Sequence, residues 1–143
     1  NRLGIAIAGR SYKAYRALLA SDRWLRLLNA GARAPRLLWA STGTKDPAAS
    51  DVLYVTALAA PHTVNTMPER TLLAFADHGA VGAMLPPDGG DAEDTLAAFE
   101  RAGIDLDALA ADLQRDGAAA FVRSWNDLLG CIARKSTALT AAS

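Results

Sequence analysis

The residues best suited to chemistry follow a short apolar run, Leu37-Leu38-Trp39-Ala40, and read Ser41-Thr42-Gly43-Thr44-Lys45. They place three hydroxyls, a flexible glycine and an ammonium group within five positions. Backbone N–H groups turned inward by such a loop, together with a lysine, make a good anion site, especially for phosphate. The Gly-x-x-x-x-Gly-Lys spacing of a Walker P-loop is missing. From spacing alone, a phosphate site and a turn whose hydroxyls cap the following helix are equally good interpretations.

Asn65 and Thr66 follow a second apolar run and are secondary candidates for substrate contact. Side chains at the end of a strand can point into the mouth of a barrel. Capping of the helix that starts at Pro68 explains the same two residues about as well.

The other reactive side chains are better explained by structural roles. His62 and His78 have no cysteine or carboxylate at ligand spacing, so no metal site is predicted. Asp46 and Asp51 are typical of solvated loop acids or helix caps rather than of a catalytic pair. Cys131 lies on the apolar side of the last helix, where packing is commoner than nucleophilic chemistry.

The loop lies between elements that alternate as strand, helix, strand and helix. We predict helices within 2–28, a strand at 36–41, a helix at 51–59, a strand at 62–66 and a helix at 68–78. Apolar runs bounded by turn residues and separated by a helix indicate a parallel β/α unit, in which the loops after the strands carry the chemistry. The fold class is therefore α/β.

The remainder is predicted to be helical after a loop at 86–90, which divides a region 1–85 from a helical segment 91–143. Asp105 should cap a helix that Gly117 ends, and the tail from Ser136 should fray. The last helix carries an apolar stripe, so it should lie on a core or on a partner. The three tryptophans fit core patterns: Trp24, Trp39 and Trp125.

Length and charge limit the class of protein. With 143 residues the chain is well below the roughly 250 of a complete eight-stranded β/α barrel. Fifteen basic and fifteen acidic residues cancel, which favours neither a nucleic-acid nor a membrane partner. The helices at 2–28 are too apolar to read DNA. One cysteine and no run of about 20 apolar residues predict a cytoplasmic protein. Because Asn1 is not a methionine, we expect another segment to precede it.

Three blocks carry a resemblance: 38–47 (LWASTGTKDP), 50–55 (SDVLYV) and 63–68 (TVNTMP). In this order they resemble the seventh and eighth β/α units of transaldolase, in the bacterial subfamily that includes fusions to glucose-6-phosphate isomerase. The segments 103–105 and 121–125 are also similar. The resemblance covers nearly the whole chain but less than half of the family's length. It implies the C-terminal portion of a TIM (β/α)8 barrel followed by C-terminal helices that pack on it, and the missing N-terminal part of the barrel as partner.

The resemblance also implies an activity in the pentose phosphate pathway that needs no cofactor. Transaldolases move a dihydroxyacetone unit from sedoheptulose 7-phosphate or fructose 6-phosphate to an aldose phosphate, erythrose 4-phosphate or glyceraldehyde 3-phosphate. A lysine Schiff base accepts the electrons released when the carbon–carbon bond breaks. Lys13, Lys45 and Lys135 are the only lysines and none matches that motif. We therefore expect the Schiff-base lysine before Asn1 and no activity from this chain alone.

Within the loop, Ser41 matches a serine that contacts the substrate phosphate in the family. Many members carry arginine where this chain has Gly43, and Lys45 is the best substitute for that charge. Two other classes of function stay open: a non-catalytic sugar-phosphate-binding module, and a helical interaction domain that docks through its last helix.

Overall fold

The computed structural model describes residues 1–141. They form two compact units that divide after Phe99, of which the first, 1–99, contains the sheet. No helix in the described range is long and apolar enough to cross a membrane. The elements in chain order are α1 (Arg2–Ala20), α2 (Asp22–Asn29), β1 (Leu37–Trp39), α3 (Leu53–Ala57), β2 (Thr63–Asn65), α4 (Glu69–His78), α5 (Ala92–Arg101) and α6 (Leu106–Ala141).

β1 and β2 form a parallel two-stranded sheet, which confirms the predicted β/α unit. Trp39 pairs with Asn65 and Leu38 with Val64. Both strands are shorter than the predicted 36–41 and 62–66. One cause is that Ser41 (φ 56°) and His62 (φ 63°) adopt left-handed backbone conformations, which an extended strand cannot include.

One face of this sheet packs on helices and the other is open. Trp39 is buried with Tyr12 and Tyr15 of α1 and with Leu58, which follows α3, so the predicted core role of this tryptophan is confirmed. Leu38 points to the opposite face and is 51% exposed. Strands of parallel sheets are normally covered on both faces.

Two tyrosines of α1 hold the segments that lead into the strands. The Tyr15 hydroxyl lies 2.7 Å from the Pro35 carbonyl oxygen and 3.3 Å from that of His62. The Tyr12 hydroxyl donates to the Pro61 carbonyl at 3.2 Å. α1 therefore fixes the amino ends of both strands through hydrogen bonds as well as through apolar packing.

The predicted loop at 86–90 packs tightly on α1. A Cβ at Gly89 (φ 84°) would lie 3.0 Å from the carbonyl oxygen of Gly9, so glycine is needed both for the backbone conformation and for the close approach. Arg10 of α1 pairs with Glu93 of α5 at 2.7 Å. These contacts lie within the first unit, which ends at Phe99.

α6 corrects two predictions about the C-terminal segment. The helix runs without interruption from Leu106 to Ala141, so the predicted end at Gly117 and the predicted fraying from Ser136 are both wrong over the described residues. A single glycine inside a helix costs only about 1 kcal/mol, which its neighbours can offset. Asp105 caps this helix as predicted, accepting from the Ala108 N–H at 2.9 Å. Trp125 is 60% exposed, and packing of α6 on a barrel stays a prediction.

Candidate functional site

Ser41 lies where β1 ends, beside a cavity at the carboxyl ends of both strands. The cavity measures about 250 Å³ and is lined by Ser41, Thr66, Met67 and Pro68. The Ser41 side chain is exposed, and its hydroxyl has no hydrogen-bond partner within 1–141. A left-handed conformation costs a non-glycine residue of the order of 1 kcal/mol and is found disproportionately at functional sites.

Thr42 turns inward and joins the ends of the two strands. It is only 5% exposed, and its hydroxyl lies 2.6 Å from Asn65 Oδ1 and 3.2 Å from the Thr66 carbonyl oxygen. Thr66 donates from its N–H and its hydroxyl to the Trp39 carbonyl, at 2.9 and 3.2 Å. The predicted candidates Thr42, Asn65 and Thr66 therefore do come together, in one network.

The remaining loop residues, 43–45, carry hydrogen-bond donors that have few acceptors in the described structure. Gly43 packs against α4: a Cβ here would lie 2.9 Å from Pro68 Cγ, so a larger residue would displace the loop. Thr44 Oγ1 is buried without a hydrogen-bond partner in the described chain, so this hydroxyl points inward. Lys45 is exposed and pairs with no carboxylate among residues 1–141. Over the same range, the backbone N–H groups of 43–45 make no hydrogen bond.

The alternative that these polar residues cap helices finds no support in the described chain. α3 begins after Val52 and α4 after Pro68, and neither start has a side-chain cap. Pro68 is thus the residue before α4 rather than its first helical residue. Of these donors, Ser41 lines the cavity, whose wall contains no acidic residue. The N–H groups of 43–45 and the Lys45 ammonium follow it in the same loop and have no partner within residues 1–141, so the loop can bind an anion.

Comparison with known proteins places the chain in a family. The family model for transaldolase/fructose-6-phosphate aldolase matches residues 1–132. The chain belongs to this family. It is 47% identical to a transaldolase of Frankia alni over 135 residues, which are 94% of this chain and 36% of that protein. Similar values hold for transaldolase 2 of Streptomyces avermitilis (48% identical, 90% of this chain and 35% of that protein) and for a transaldolase of Renibacterium salmoninarum (46%, 90% and 34%).

The chain thus spans about a third of the length of the transaldolases that it matches. This agrees with the resemblance to the C-terminal part of the family.

Two residues of the cavity wall were not predicted as site residues from the sequence. Met67 and Pro68 line it beside Ser41 and Thr66. The available signal was their position directly after a strand end, where any residue type can form the wall of a barrel mouth.

The two candidate loop acids of this transaldolase family member do not form a pair. Asp46 accepts from the Ala48 N–H at 2.9 Å and from Asn1 Nδ2 at 2.8 Å, and these bonds, the first above all, lower the pKa of its carboxyl. Asp51 instead faces His78. Their separate partners agree with the predicted structural roles.

His78 has carboxylate partners that its spacing in the sequence does not indicate. Its Nε2 lies 2.9 Å from Asp51 Oδ1, and its Nδ1 lies 3.2 Å from Asp77 Oδ2. The hydrogen bond to Asp51, followed by that to Asp77, raises the pKa of His78, and the same His78 bond lowers the pKa of Asp51. Among residues 1–141, no group of three potential ligands is placed to hold a metal ion.

We expect the His78–Asp51 pair to add stability in a defined pH window. The raised pKa of His78 gives a contribution that is complete below its unfolded value of 6.5 and is lost as pH rises through the folded value. The lowered pKa of Asp51 gives a contribution that is present above 3.8 and is lost as pH falls through the folded value. Urea unfolding of the full-length protein between pH 4 and pH 9 should therefore show a fall on the alkaline side that His78→Gln removes. His62→Asn, which tolerates a left-handed backbone, is the matched control; the same change in both variants would contradict the assignment.

Proposed function

We propose that the complete protein is a transaldolase and that this chain supplies the phosphate-binding side of its active site. The observation that carries the proposal is a group of donors at the end of β1 that have no partner within residues 1–141: the Ser41 hydroxyl, the N–H groups of 43–45 and the Lys45 ammonium. A phosphate ester offers several acceptor oxygens and a negative charge, which match such a set. The named activity of the relatives supports the same reading.

Lys45 is proposed to replace the charge of the arginine that many family members carry at the position of Gly43. Pro68 leaves no room for a side chain at Gly43 without movement of the loop. An exposed ammonium two residues later is free to reach an anion, since it has no carboxylate partner within the described part of the chain. Phosphate contacts from Gly43 and Thr44 would then come from their backbone N–H groups, because the Thr44 hydroxyl points inward. The hydroxyl and the N–H of Thr42 are instead bonded to Asn65 and Thr66.

The open face of the sheet supports the proposal that β1 and β2 belong to a (β/α)8 barrel. Leu38 is 51% exposed on that face, and Val64 is its strand partner. In a closed barrel the inward-facing side chains of all strands cover one another. Thr66 lies two residues beyond Val64, so its side chain would point into the mouth of the barrel.

The proposed chemistry divides between this chain and the rest of the protein. The Schiff-base lysine would lie in the part that the relatives have and this chain does not span. Holding the phosphate fixes the distance between the sugar carbonyl and that lysine, which converts binding energy into correct orientation. Candidate sugar phosphates are sedoheptulose 7-phosphate, fructose 6-phosphate, erythrose 4-phosphate and glyceraldehyde 3-phosphate.

A direct test is to incubate full-length protein with fructose 6-phosphate and erythrose 4-phosphate. We expect sedoheptulose 7-phosphate and glyceraldehyde 3-phosphate to form. The dihydroxyacetone unit of fructose 6-phosphate moves to erythrose 4-phosphate, and the remaining three carbons leave as glyceraldehyde 3-phosphate. Binding of fructose 6-phosphate without turnover would favour a non-catalytic binding module. Absence of both binding and turnover would favour a helical interaction domain, and either result would contradict the proposal.

A further inference from the structure

Thr42 and Asn65 lie behind the cavity rather than on its wall. Neither is among the four residues that line it. The register pairs Asn65 with Trp39, whose side chain lies on the helix-covered face, so the Asn65 side chain leaves the strand on that same face. Thr42 is 5% exposed and meets Asn65 there.

The distances indicate which atom donates. The 2.6 Å separation between Thr42 Oγ1 and Asn65 Oδ1 is typical of an O–H···O bond and short for an N–H···O bond. Thr42 therefore gives its single hydroxyl proton to the Asn65 carbonyl oxygen. Its backbone N–H points at the Thr66 carbonyl oxygen at 3.4 Å. The residue after Ser41 is thus bound to β2 through both its side chain and its backbone.

We propose that Thr42 and Asn65 are positioning residues for the phosphate loop. Their hydrogen bond lies directly after Ser41, whose left-handed conformation is unfavourable for a residue other than glycine. The bond therefore holds Ser41 in this conformation and keeps the turn in place. In this turn the N–H groups of 43–45 have no partner within residues 1–141 and remain available to an anion. The inference rests on the proposed function. It assigns to the buried Thr42 and the half-buried Asn65 the shape of the phosphate site rather than contact with the ligand.

The test compares full-length variants by one quantity, the phosphate preference, defined as kcat/KM for fructose 6-phosphate divided by kcat/KM for fructose. Thr42→Val keeps the branched shape and removes the hydroxyl, and we expect it to lower the preference about three- to tenfold, chiefly through KM for the phosphorylated sugar. Thr42→Ser restores the donor and should return the preference to within about twofold of the wild type.

Asn65→Leu provides a second route to the same result if Thr42→Val folds poorly. It should lower the preference to a similar degree, and the double variant Thr42→Val with Asn65→Leu should be no worse than either single variant, because all three break one bond. Thr63→Val is the matched control. Thr63 donates to the Ala60 carbonyl at 2.7 Å at the opposite end of β2, so its loss should lower stability without changing the preference.

Two failures are distinguishable. If wild-type protein shows no preference for the phosphorylated sugar, the proposed function is overturned and the positioning role with it. If the wild type shows the preference and Thr42→Val keeps it, with fructose and fructose 6-phosphate use falling equally, the positioning inference alone is overturned.

Discussion

Replacement of Ser41 or Lys45 by alanine in the full-length protein should lower kcat/KM for fructose 6-phosphate by about ten- to over a hundredfold. Each side chain is proposed to make a charge-assisted contact with the phosphate, and such contacts contribute about 1.5–3 kcal/mol. Use of unphosphorylated fructose should change far less, since it has no group for these side chains to bind. Steady-state kinetics with the two sugars measures the difference.

The controls separate charge, hydroxyl and backbone effects. Lys45→Arg keeps the charge and should retain most of the activity. Lys135→Ala removes a lysine from α6 and should leave kcat/KM unchanged for both sugars. Ser41→Gly removes the hydroxyl but tolerates the φ of 56°, so it should match Ser41→Ala. Equal losses on both sugars would show that Ser41 and Lys45 do not recognise the phosphate.

Local patterns were sufficient to predict the centre of the fold. The apolar run at 37–40 and the turn residues that begin at Ser41 located β1 and the loop after it, because both signals come from adjacent residues, although the predicted strand at 36–41 was longer than the observed one. The parallel pairing of β1 with β2 followed from the helix between them. The cap that Asp105 provides at the start of α6 was predictable for the same reason.

Contacts between distant residues were not predictable in the same way. Thr42 meets Asn65 and Asp51 meets His78, across 23 and 27 residues, and neither pair shows a spacing rule in the sequence. The Thr42 contact depends on the strand register and on the left-handed turn at Ser41, two features that only the folded chain defines. Polar residues at a strand end therefore predicted where a binding site lies, but not which of their side chains point into it.

Gly117 shows the limit of a local rule. Glycine has a low helix propensity, yet the cost of about 1 kcal/mol is small beside the good helix formers on either side, which include three consecutive alanines at 118–120. Ending a helix needs further signals, such as the left-handed glycine that follows α5, Gly103 with φ 89°.

The second large effect concerns the lysine that is proposed to form the imine with the substrate. Sodium borohydride reduces a Schiff base to a stable amine, so a lysine that attacks fructose 6-phosphate becomes covalently labelled. Full-length protein should be trapped stoichiometrically, whereas the 143-residue chain should not be labelled at all. The reason is that a Schiff-base lysine is typically desolvated, and the lysine nearest the cavity here, Lys45, is exposed in a polar loop.

Mass spectrometry of the borohydride-treated proteins distinguishes the two possibilities, with the isolated chain 1–143 and the full-length protein measured side by side. We expect one adduct per full-length chain, on a lysine outside these 143 residues, and an unchanged mass for the isolated chain. A stoichiometric adduct on Lys45 in the isolated chain would contradict both the anion-binding role of this residue and the division of the active site between two parts of the protein.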